Sequence, residues 1–263
     1  KKVNASFVLI FHNNPLTLGG SKTLEERQEL LKQCSKLIFV SNWVKEQFFH
    51  GFDKKNHPKC EVIYPSINTI KSFPKKENII SFVGKLNRSK GFHIFGKAII
   101  KILNKYNNWK SIVVGDEPRE KYNFNHKNLD YKGWVSHAKT LDLYNITSIS
   151  VVPSEWEEPF GRTAVEAASR GCATIVSKRG GLIETVPNTI FLTQVNDKEL
   201  YDKIDFLIKN KKVRQTIQVD SYKNILHNLN LNTKKIDGYR SELLYEKRFS
   251  IGKNKKLKIL HIS

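Results

Sequence analysis

The stretch "SEWEEPFGRTAVEAASRGCATIVSKRGG", residues 154–181, holds the pattern that decides the fold. It opens with an acidic loop interrupted by Pro159, becomes helical up to Gly171, and continues as an apolar run that stops at paired glycines. The apolar run "SISVVPS" (148–154) precedes it, so the order is strand, helix, strand. Units of this kind place parallel strands in one sheet with the helix on its face.

The same alternation of apolar runs and amphipathic segments extends along most of the chain. It begins with the strand "ASFVLIFHNN" and a helix "SKTLEERQELLKQ", for which Ser21 is the predicted N-cap. A polar segment at 67–78 interrupts the rhythm, which then restarts and ends in polar helices over 198–248. The pattern predicts an α/β protein with two Rossmann-like, doubly wound domains. We expect the N-terminal domain to be truncated, because only about three strands precede the interruption.

The charge of the chain is strongly basic, with a formal net charge of +20. Such an excess suits anionic partners such as nucleic acid, an acidic membrane surface or phosphorylated substrates, and equally a solvated lysine-rich surface. The lysines are spread along the chain and no nucleic-acid-binding motif is found among them. The sequence therefore predicts no nucleic-acid partner.

The three cysteines point to a reducing compartment. Cys34, Cys60 and Cys172 lie in or beside apolar runs and lack the spacing of metal ligands. We expect buried free thiols, no metal site, and a cytoplasmic location, since no signal-peptide pattern or membrane-spanning run is present.

Four strands of the second predicted sheet end in small residues followed by charged ones. "SFVG" leads into "KLNRSKG", "IVVG" into "DEPRE", "VVPS" into "EWEEPFG", and "TIVS" into "KRGG". The carboxyl ends of parallel strands share one edge of the sheet, where ligands bind in open α/β folds. These four strand exits, meaning the segments that directly follow the strands, therefore predict a binding site at that edge.

Two of these exits carry the candidate chemistry. In "GKLNRSKG" (84–91), a helix start with Lys85 and Lys90 suits a phosphate, although a basic surface turn is the alternative and the Walker spacing is absent. In the acidic loop, Glu158 precedes the helix and Glu166 lies inside it. They are candidates for a general acid and base or for acceptors of sugar hydroxyls, or else form a solvated acidic helix start.

The segment "EPFGRTAVE" resembles the E-P-F-G-x4-E signature, a Glu-x7-Glu spacing, of the retaining GT-B glycosyltransferases of glycosyltransferase family 4. Further resemblances follow in the family's order: "SFVGKLNRSKG", "VVGDEP", "YKGWVS" and "RGGLIETV". Upstream, "LIFHNN" and "LIFVSNWVKEQF" resemble the second half of the family's acceptor domain. The resemblance covers most of residues 5–250 and implies the GT-B fold.

The resemblance implies a role for each matching residue. Glu166 would hold the ribose hydroxyls, Glu158 would contact the transferred sugar, and Lys85 and Lys90 would stabilise the leaving diphosphate without a metal or other cofactor. His12 would face the donor sugar. The implied catalytic residues are Glu158, Lys90 and His12. The implied donor-binding residues are Gly84, Lys85, Lys90, Gly115, Trp134, Val135, Ser154, Glu158, Phe160, Gly161 and Glu166.

The resemblance also divides the chain. Residues 1–70 would be a partial acceptor-side domain, 71–235 the nucleotide-sugar domain, 236–250 a helix crossing back to the first domain, and 251–263 a tail opening a further domain. The family's first strand and Gly-rich loop are not found, so we expect a piece of a longer, tandem polypeptide that binds donor but transfers little alone. The family usually has Arg at the position of Lys85, which lacks the planar fork of a guanidinium.

The expected function is transfer of a sugar, with retention of configuration, from a nucleotide-sugar donor to a glycan or lipid-linked acceptor. We expect a role in cell-surface polysaccharide or lipopolysaccharide synthesis, with peripheral contact to the anionic inner face of the membrane. The alternatives are a GT-B-fold sugar-nucleotide epimerase and an inactive nucleotide-sugar-binding module. Nucleic-acid binding rests on charge alone.

Overall fold

A computed structural model describes residues 6–186, 188–225, 229–250 and 257–262. The chain forms two compact units, one containing the residues up to Ser66 together with those from His227 onward, the other containing Ile67–Leu226. The divisions lie four residues before the predicted limit at residue 70 and nine residues before the predicted limit at residue 235.

Strands and helices alternate through most of the described chain. The strands are β1 (Ser6–Phe11), β2 (Lys36–Phe39), β3 (Cys60–Val62), β4 (Glu77–Val83), β5 (Lys110–Val114), β6 (Leu129–Tyr131), β7 (Thr147–Val152), β8 (Ala173–Ser177), β9 (Ile190–Leu192) and β10 (Leu257–Ile262). The α-helices are α1 (Leu24–Gln33), α2 (Asn42–Phe48), α3 (Phe92–Lys105), α4 (His137–Ile146), α5 (Arg162–Ser169), α6 (Leu182–Thr185), α7 (Asp197–Lys209), α8 (Lys211–Asn224) and α9 (Leu229–Ser250).

The first unit contains a parallel sheet with the strand order β10-β1-β2-β3. Its core includes a cluster of three fully buried rings, in which Phe11 stacks on Phe39 at 5.4 Å and both contact Phe48 of α2. Burying large aromatic side chains contributes strongly to the stability of a small sheet.

Helix α1 begins at a different cap from the predicted one. The N-cap is Thr23, whose side chain accepts from the backbone N–H of Glu26 while the Glu26 carboxylate accepts from the N–H of Thr23. Ser21 instead donates its hydroxyl to the carbonyl of Pro15, 2.8 Å away. The prediction of Ser21 was wrong because this reciprocal capping box satisfies two backbone donors, whereas a Ser cap alone satisfies one.

Helix α9 and strand β10 complete the first unit. Ile236 and Tyr239 of α9 pack on its apolar cluster, and the Lys36 ammonium lies 4.5 Å from the centre of the Tyr239 ring. Strand β10 pairs in parallel with β1, from Ser6 opposite Leu257 to Phe11 opposite Ile262. Within the described residues, β10 therefore covers the edge of β1 that faces away from β2.

The second unit contains a six-stranded parallel sheet with the order β6-β5-β4-β7-β8-β9. Numbered from β4, this is the order 3-2-1-4-5-6 of dinucleotide-binding domains, in which the direction of winding reverses between the first and fourth strands. The apolar face of α3, including Phe95 and Ile99, is fully buried against the sheet and α7. The reversal between β4 and β7 is where such sheets bind ligands.

Cys34, Cys60 and Cys172 are free and buried, as predicted. Burial raises the pKa of each thiol, to about 12 for Cys60 and about 11 for Cys172. Among the described helices, none combines the length and apolar character needed to cross a bilayer.

Candidate functional site

The reversal point of the second sheet carries a pair of opposite charges. Lys90 ends the loop after β4 and Glu158 lies in the loop after β7, and the Lys90 Nζ is 2.5 Å from the Glu158 Oε1. Ser154 donates its hydroxyl to the same oxygen at 2.8 Å. The Glu158 side chain is only 11% exposed, and the ammonium and the hydroxyl supply its Oε1 with the partners that a buried polar group needs. The two strand exits predicted to carry chemistry thus meet in one contact.

The loop after β4 is held in shape by its own residues and by the next exit. The Asn87 Oδ1 accepts from the Lys90 N–H and the Ser89 hydroxyl, both at 3.0 Å, and the Ser89 carbonyl accepts the N–H groups of Glu155 and Trp156. Gly91 begins α3 at φ 71°, and a Cβ there would lie 1.9 Å from the carbonyl oxygen of Pro153. The position therefore needs glycine both for its backbone conformation and for the approach of the two loops.

A cavity of about 170 Å³ opens beside the charge pair. It is lined by Phe82, Val83, Gly84, Lys90, Val152, Glu158, Arg162 and Thr163. Its volume is below the several hundred Å³ of pockets that enclose whole drug-sized ligands. It suits a fragment of a ligand, such as a phosphate or a single sugar ring.

The exit of β8 closes on the acidic loop through backbone contacts. The N–H of Gly181 donates to the Glu158 carbonyl at 2.6 Å, and the N–H of Gly180 donates to the Glu157 Oε2 at 2.5 Å. Arg179 adds a second contact to Glu157 at 3.2 Å. Of the adjacent acids, Glu157 therefore fastens the loop and Glu158 faces the cavity.

The exit of β5 contacts that of β4 at Gly115, where a Cβ would lie 1.9 Å from the carbonyl oxygen of Gly84. Beyond it, Glu117 is buried and ion-paired with Arg119, and hydrogen bonds from Arg119 lower the pKa of Glu117 to about 2. Lys85 is exposed and does not line the cavity.

Glu166 lies one turn inside α5 and is 4% exposed. Its Oε1 accepts from the Arg162 Nε at 2.8 Å and contacts the His137 Nε2 at 2.9 Å. Its surroundings differ from those of Glu158, which contacts a lysine and a hydroxyl. The two glutamates share no hydrogen bond, and Arg162, which contacts Glu166, also lines the cavity beside Glu158.

The other predicted site residues lie in different surroundings. Trp134 and Val135 follow β6 in the loop before α4, where the Trp134 indole is 81% exposed and Val135 packs on a small apolar cluster. Phe160 is buried, and its carbonyl accepts the Thr185 hydroxyl at 2.7 Å. His12 follows β1 and belongs to the first unit.

Three residues of this region were not predicted from the sequence. Arg162 was readable, because a residue four positions before Glu166 shares its helix face. Thr163 follows it on the cavity wall, and His137 comes from the start of another helix, so no spacing rule identifies it. In the part of the chain that the structure describes, no group of three or more His, Cys, Asp or Glu side chains is arranged to hold a metal ion. The predicted independence of metals stays a prediction.

The family model for Glycosyl transferases group 1 matches residues 65–224, more than half of the chain, which therefore belongs to this family. A curated relative is the capsular polysaccharide biosynthesis glycosyltransferase CapM of Staphylococcus aureus, 28% identical over 195 residues, covering 68% of this chain and 51% of CapM. The chain spans about half the length of the curated relatives it matches.

Two solved structures resemble the fold. HepE of Anabaena, crystallised with UDP-glucose, is 18% identical with a TM-score of 0.75, covering 90% of this chain and 72% of HepE. Sucrose-phosphate synthase of Thermosynechococcus elongatus is 18% identical with a TM-score of 0.74, covering 93% of this chain and 69% of that chain. The predicted α/β fold of the GT-B type, with parallel sheets, is confirmed.

Proposed function

We propose that this chain carries the donor-binding machinery of a retaining glycosyltransferase, which moves a sugar from a nucleotide-sugar donor to a glycan or lipid-linked acceptor. The observation that carries the proposal is the contact of Lys90 with Glu158 beside a small cavity, at the point where the sheet reverses its winding. A nucleotide sugar presents a diphosphate and a hydroxyl-rich ring, and this site offers a cation and a carboxylate side by side.

The leaving diphosphate would be stabilised by fixed positive charge. The Lys90 ammonium has three N–H donors, of which the Glu158 contact uses one, so the remaining donors are available to phosphate oxygens. The N-terminus of α5, capped by Gly161 without a side-chain hydrogen bond, adds backbone donors and the positive end of a helix dipole. Lys85 would add a looser contact, since an ammonium cannot bind phosphate bidentately. Such preorganised charge would stabilise the departing group without a metal or other cofactor.

The carboxylates and the flanking backbone would position the rest of the donor. Glu158, oriented by Ser154, would accept hydroxyls of the transferred sugar, while Glu166 would accept those of the ribose. Backbone groups at Phe160 and Gly161 would support the sugar and phosphate. Trp134 and Val135 would border the nucleotide, and His12 would face the donor sugar.

The proposed setting is cell-surface polysaccharide or lipopolysaccharide synthesis on the cytoplasmic side of the membrane. The name of the relative CapM supports a polysaccharide product. The net charge of +20 supports peripheral contact with anionic lipids. Binding to vesicles of anionic phosphatidylglycerol, but not of neutral phosphatidylcholine, would test that contact.

Titration calorimetry of the chain with UDP, GDP, UDP-glucose, UDP-N-acetylglucosamine and GDP-mannose tests donor binding. We expect either the uridine or the guanosine ligands to bind, but not both. A bound ligand at 100 times its Kd should also raise the free energy of unfolding by about 2.7 kcal/mol. Glu158→Gln should weaken the nucleotide sugar roughly tenfold and leave the nucleoside diphosphate within about twofold, because its contact is with the sugar. Glu46→Gln, which changes an exposed glutamate of the first unit, is the matched control. Failure of all five ligands to bind would overturn the proposal.

Retention is tested on the product. With the acceptor-side residues of the whole enzyme present, nuclear magnetic resonance of the new glycosidic bond should show the anomeric configuration of the donor. An inverted product, or conversion of the nucleotide sugar to its epimer without an acceptor, would contradict the assigned reaction.

A further inference from the structure

Two side chains from two different helices converge on a single oxygen of Glu166. Arg162, the first residue of α5, donates from Nε at 2.8 Å, and His137, the first residue of α4, places its Nε2 at 2.9 Å. The carboxylate is 5% exposed, whereas the Arg162 and His137 side chains are 64% and 56% exposed. The pair therefore covers one side of a buried acid.

Helix stability does not explain why an arginine occupies the first position of α5. A cation in the first turn opposes the helix dipole, and an arginine placed four residues before a glutamate is the weaker of the two orientations of such a pair. Arg162 combines both disadvantages, and its helix begins at Gly161 without a side-chain cap. The position of Arg162 is instead explained by its contact with Glu166.

The two oxygens of the Glu166 carboxylate differ in their hydrogen-bond partners. Oε1 has two nitrogen partners, and Oε2 has no hydrogen-bond partner in the part of the chain that the structure describes. With one oxygen fixed from two directions, rotation of the carboxylate is restricted and its other oxygen keeps one orientation. Acceptors held in this way bind hydroxyls with less loss of conformational entropy.

We propose that Arg162 and His137 are positioning residues for the ribose of the donor: they fix Oε1 of Glu166, so that Oε2 receives the ribose hydroxyls. This assignment rests on the proposed function and adds two residues to it. It differs from simple charge neutralisation, because a neutralising pair would affect every anionic ligand equally, whereas a positioning pair affects the recognition of hydroxyls.

The experiment compares each nucleoside diphosphate with its 2′-deoxy and 3′-deoxy counterparts by titration calorimetry, starting with UDP, then GDP and ADP. We expect the wild-type chain to prefer the ribose form over at least one deoxy form roughly tenfold or more, the scale of a hydrogen bond to a charged group. Arg162→Gln and His137→Ala should each reduce this ratio at least threefold, and the double variant should bring it close to one. The affinity for that deoxy form should stay within twofold. Arg162→Lys and His137→Gln, which keep an N–H donor in reach, should recover part of the ratio.

The controls are Arg240→Gln and His50→Ala, which change exposed side chains of the first unit. They should leave the ratio unchanged. An unchanged ratio in Arg162→Gln and His137→Ala, or equal weakening of the ribose and deoxy forms, would overturn the positioning assignment while the proposed function stood. If the wild-type chain bound no nucleoside diphosphate, the proposed function would fail and this assignment with it.

Discussion

The two edges of the second sheet hold their cations with different kinds of partner. At the carboxyl edge, Lys90 and Arg162 contact the carboxylates of Glu158 and Glu166. At the amino edge, Lys76 directly precedes β4, and its ammonium donates to the carbonyls of Tyr144, Asn145 and Arg170 at 2.9, 3.1 and 2.5 Å. No carboxylate is among its hydrogen-bond partners in the described chain.

The carbonyls around Lys76 belong to the C-terminal ends of α4 and α5. Helix ends of this kind carry unpaired carbonyls and a partial negative charge, so a cation there needs no acidic partner. Arg214 follows the same rule, since its Nη1 donates to the carbonyls of Leu207 and Ile208 at the end of α7. Part of the basic charge of the chain is therefore structural, and the carboxylates at the other edge remain available to order a ligand site.

The largest expected effect on stability comes from the amino edge. Lys76→Met leaves three carbonyls without their donor, and we expect the free energy of unfolding to fall by about 3 kcal/mol in chemical denaturation. Nucleoside diphosphate affinity of the folded variant should not change. Lys75→Met, the exposed neighbour, should change stability by less than about 0.5 kcal/mol. A loss below about 1 kcal/mol would mean that water replaces the ammonium without penalty.

At the carboxyl edge, a substitution should affect nucleoside diphosphate affinity more than stability. Lys90→Ala should weaken nucleoside diphosphate binding by about 2 kcal/mol, roughly thirtyfold, because a charged donor to the phosphates is lost. Its free energy of unfolding should fall by about 1 kcal/mol, since the Ser154 hydroxyl still donates to Glu158. If affinity persisted while stability fell by 3 kcal/mol, the two edges would be alike and the Lys90 pair would be structural.

A smaller effect is expected from a carboxylate that lies away from the ligand edge. Asp205 of α7 accepts from Lys105, Tyr106 and Lys209 at 2.7, 2.6 and 2.8 Å. Burial opposes the charged form, but these hydrogen bonds lower the pKa of Asp205 to about 2. A folded-state pKa below the unfolded value stabilises the protein above about pH 4, and this contribution is lost as the pH falls towards 2.

Both lysines are substantially exposed, so solvent screening limits the contribution to about 1 kcal/mol. Urea unfolding of wild type and Asp205→Asn should show this difference at pH 6, and the difference should shrink between pH 4 and pH 2.5. Asp202→Asn, an exposed acid on the same helix, is the control. A difference that stays constant down to pH 2.5 would exclude Asp205 as its cause.

The sequence predicted the ligand edge of the sheet but not the side-chain contacts at that edge. Apolar runs and charged exits predicted parallel sheets with a ligand edge, because the alternation of strands and helices is a local property. The contact of Lys90 with Glu158 could not be predicted, because it requires β4 and β7 to be neighbours in the sheet. Hydrophobic periodicity does not determine strand order. The contact of His137 with Glu166 depends in turn on how α4 packs against α5.

The amino edge was less predictable still. Lys76 lies in "FPKKEN", which reads as a polar interruption between two domains. Its partners are backbone carbonyls, which every residue carries, so no side-chain pattern announces them. For β10, the apolar stretch "LKILHI" predicted a strand, but a local pattern does not indicate which sheet a strand joins.

The smallest effect is expected from Lys211, an exposed lysine that lies outside the contacts described at either edge. Lys211 is exposed and begins α8, whose N-cap Asn210 makes no side-chain capping bond. A cation in the first turn opposes the helix dipole, so Lys211→Ala should raise the free energy of unfolding by about 0.3 kcal/mol. It removes the same charge as Lys90→Ala, yet nucleoside diphosphate affinity in calorimetry at fixed ionic strength should stay within about twofold of wild type. Equal weakening by the two substitutions would show that phosphate is attracted by total charge, and Lys90 would then lose its special place at the sheet reversal.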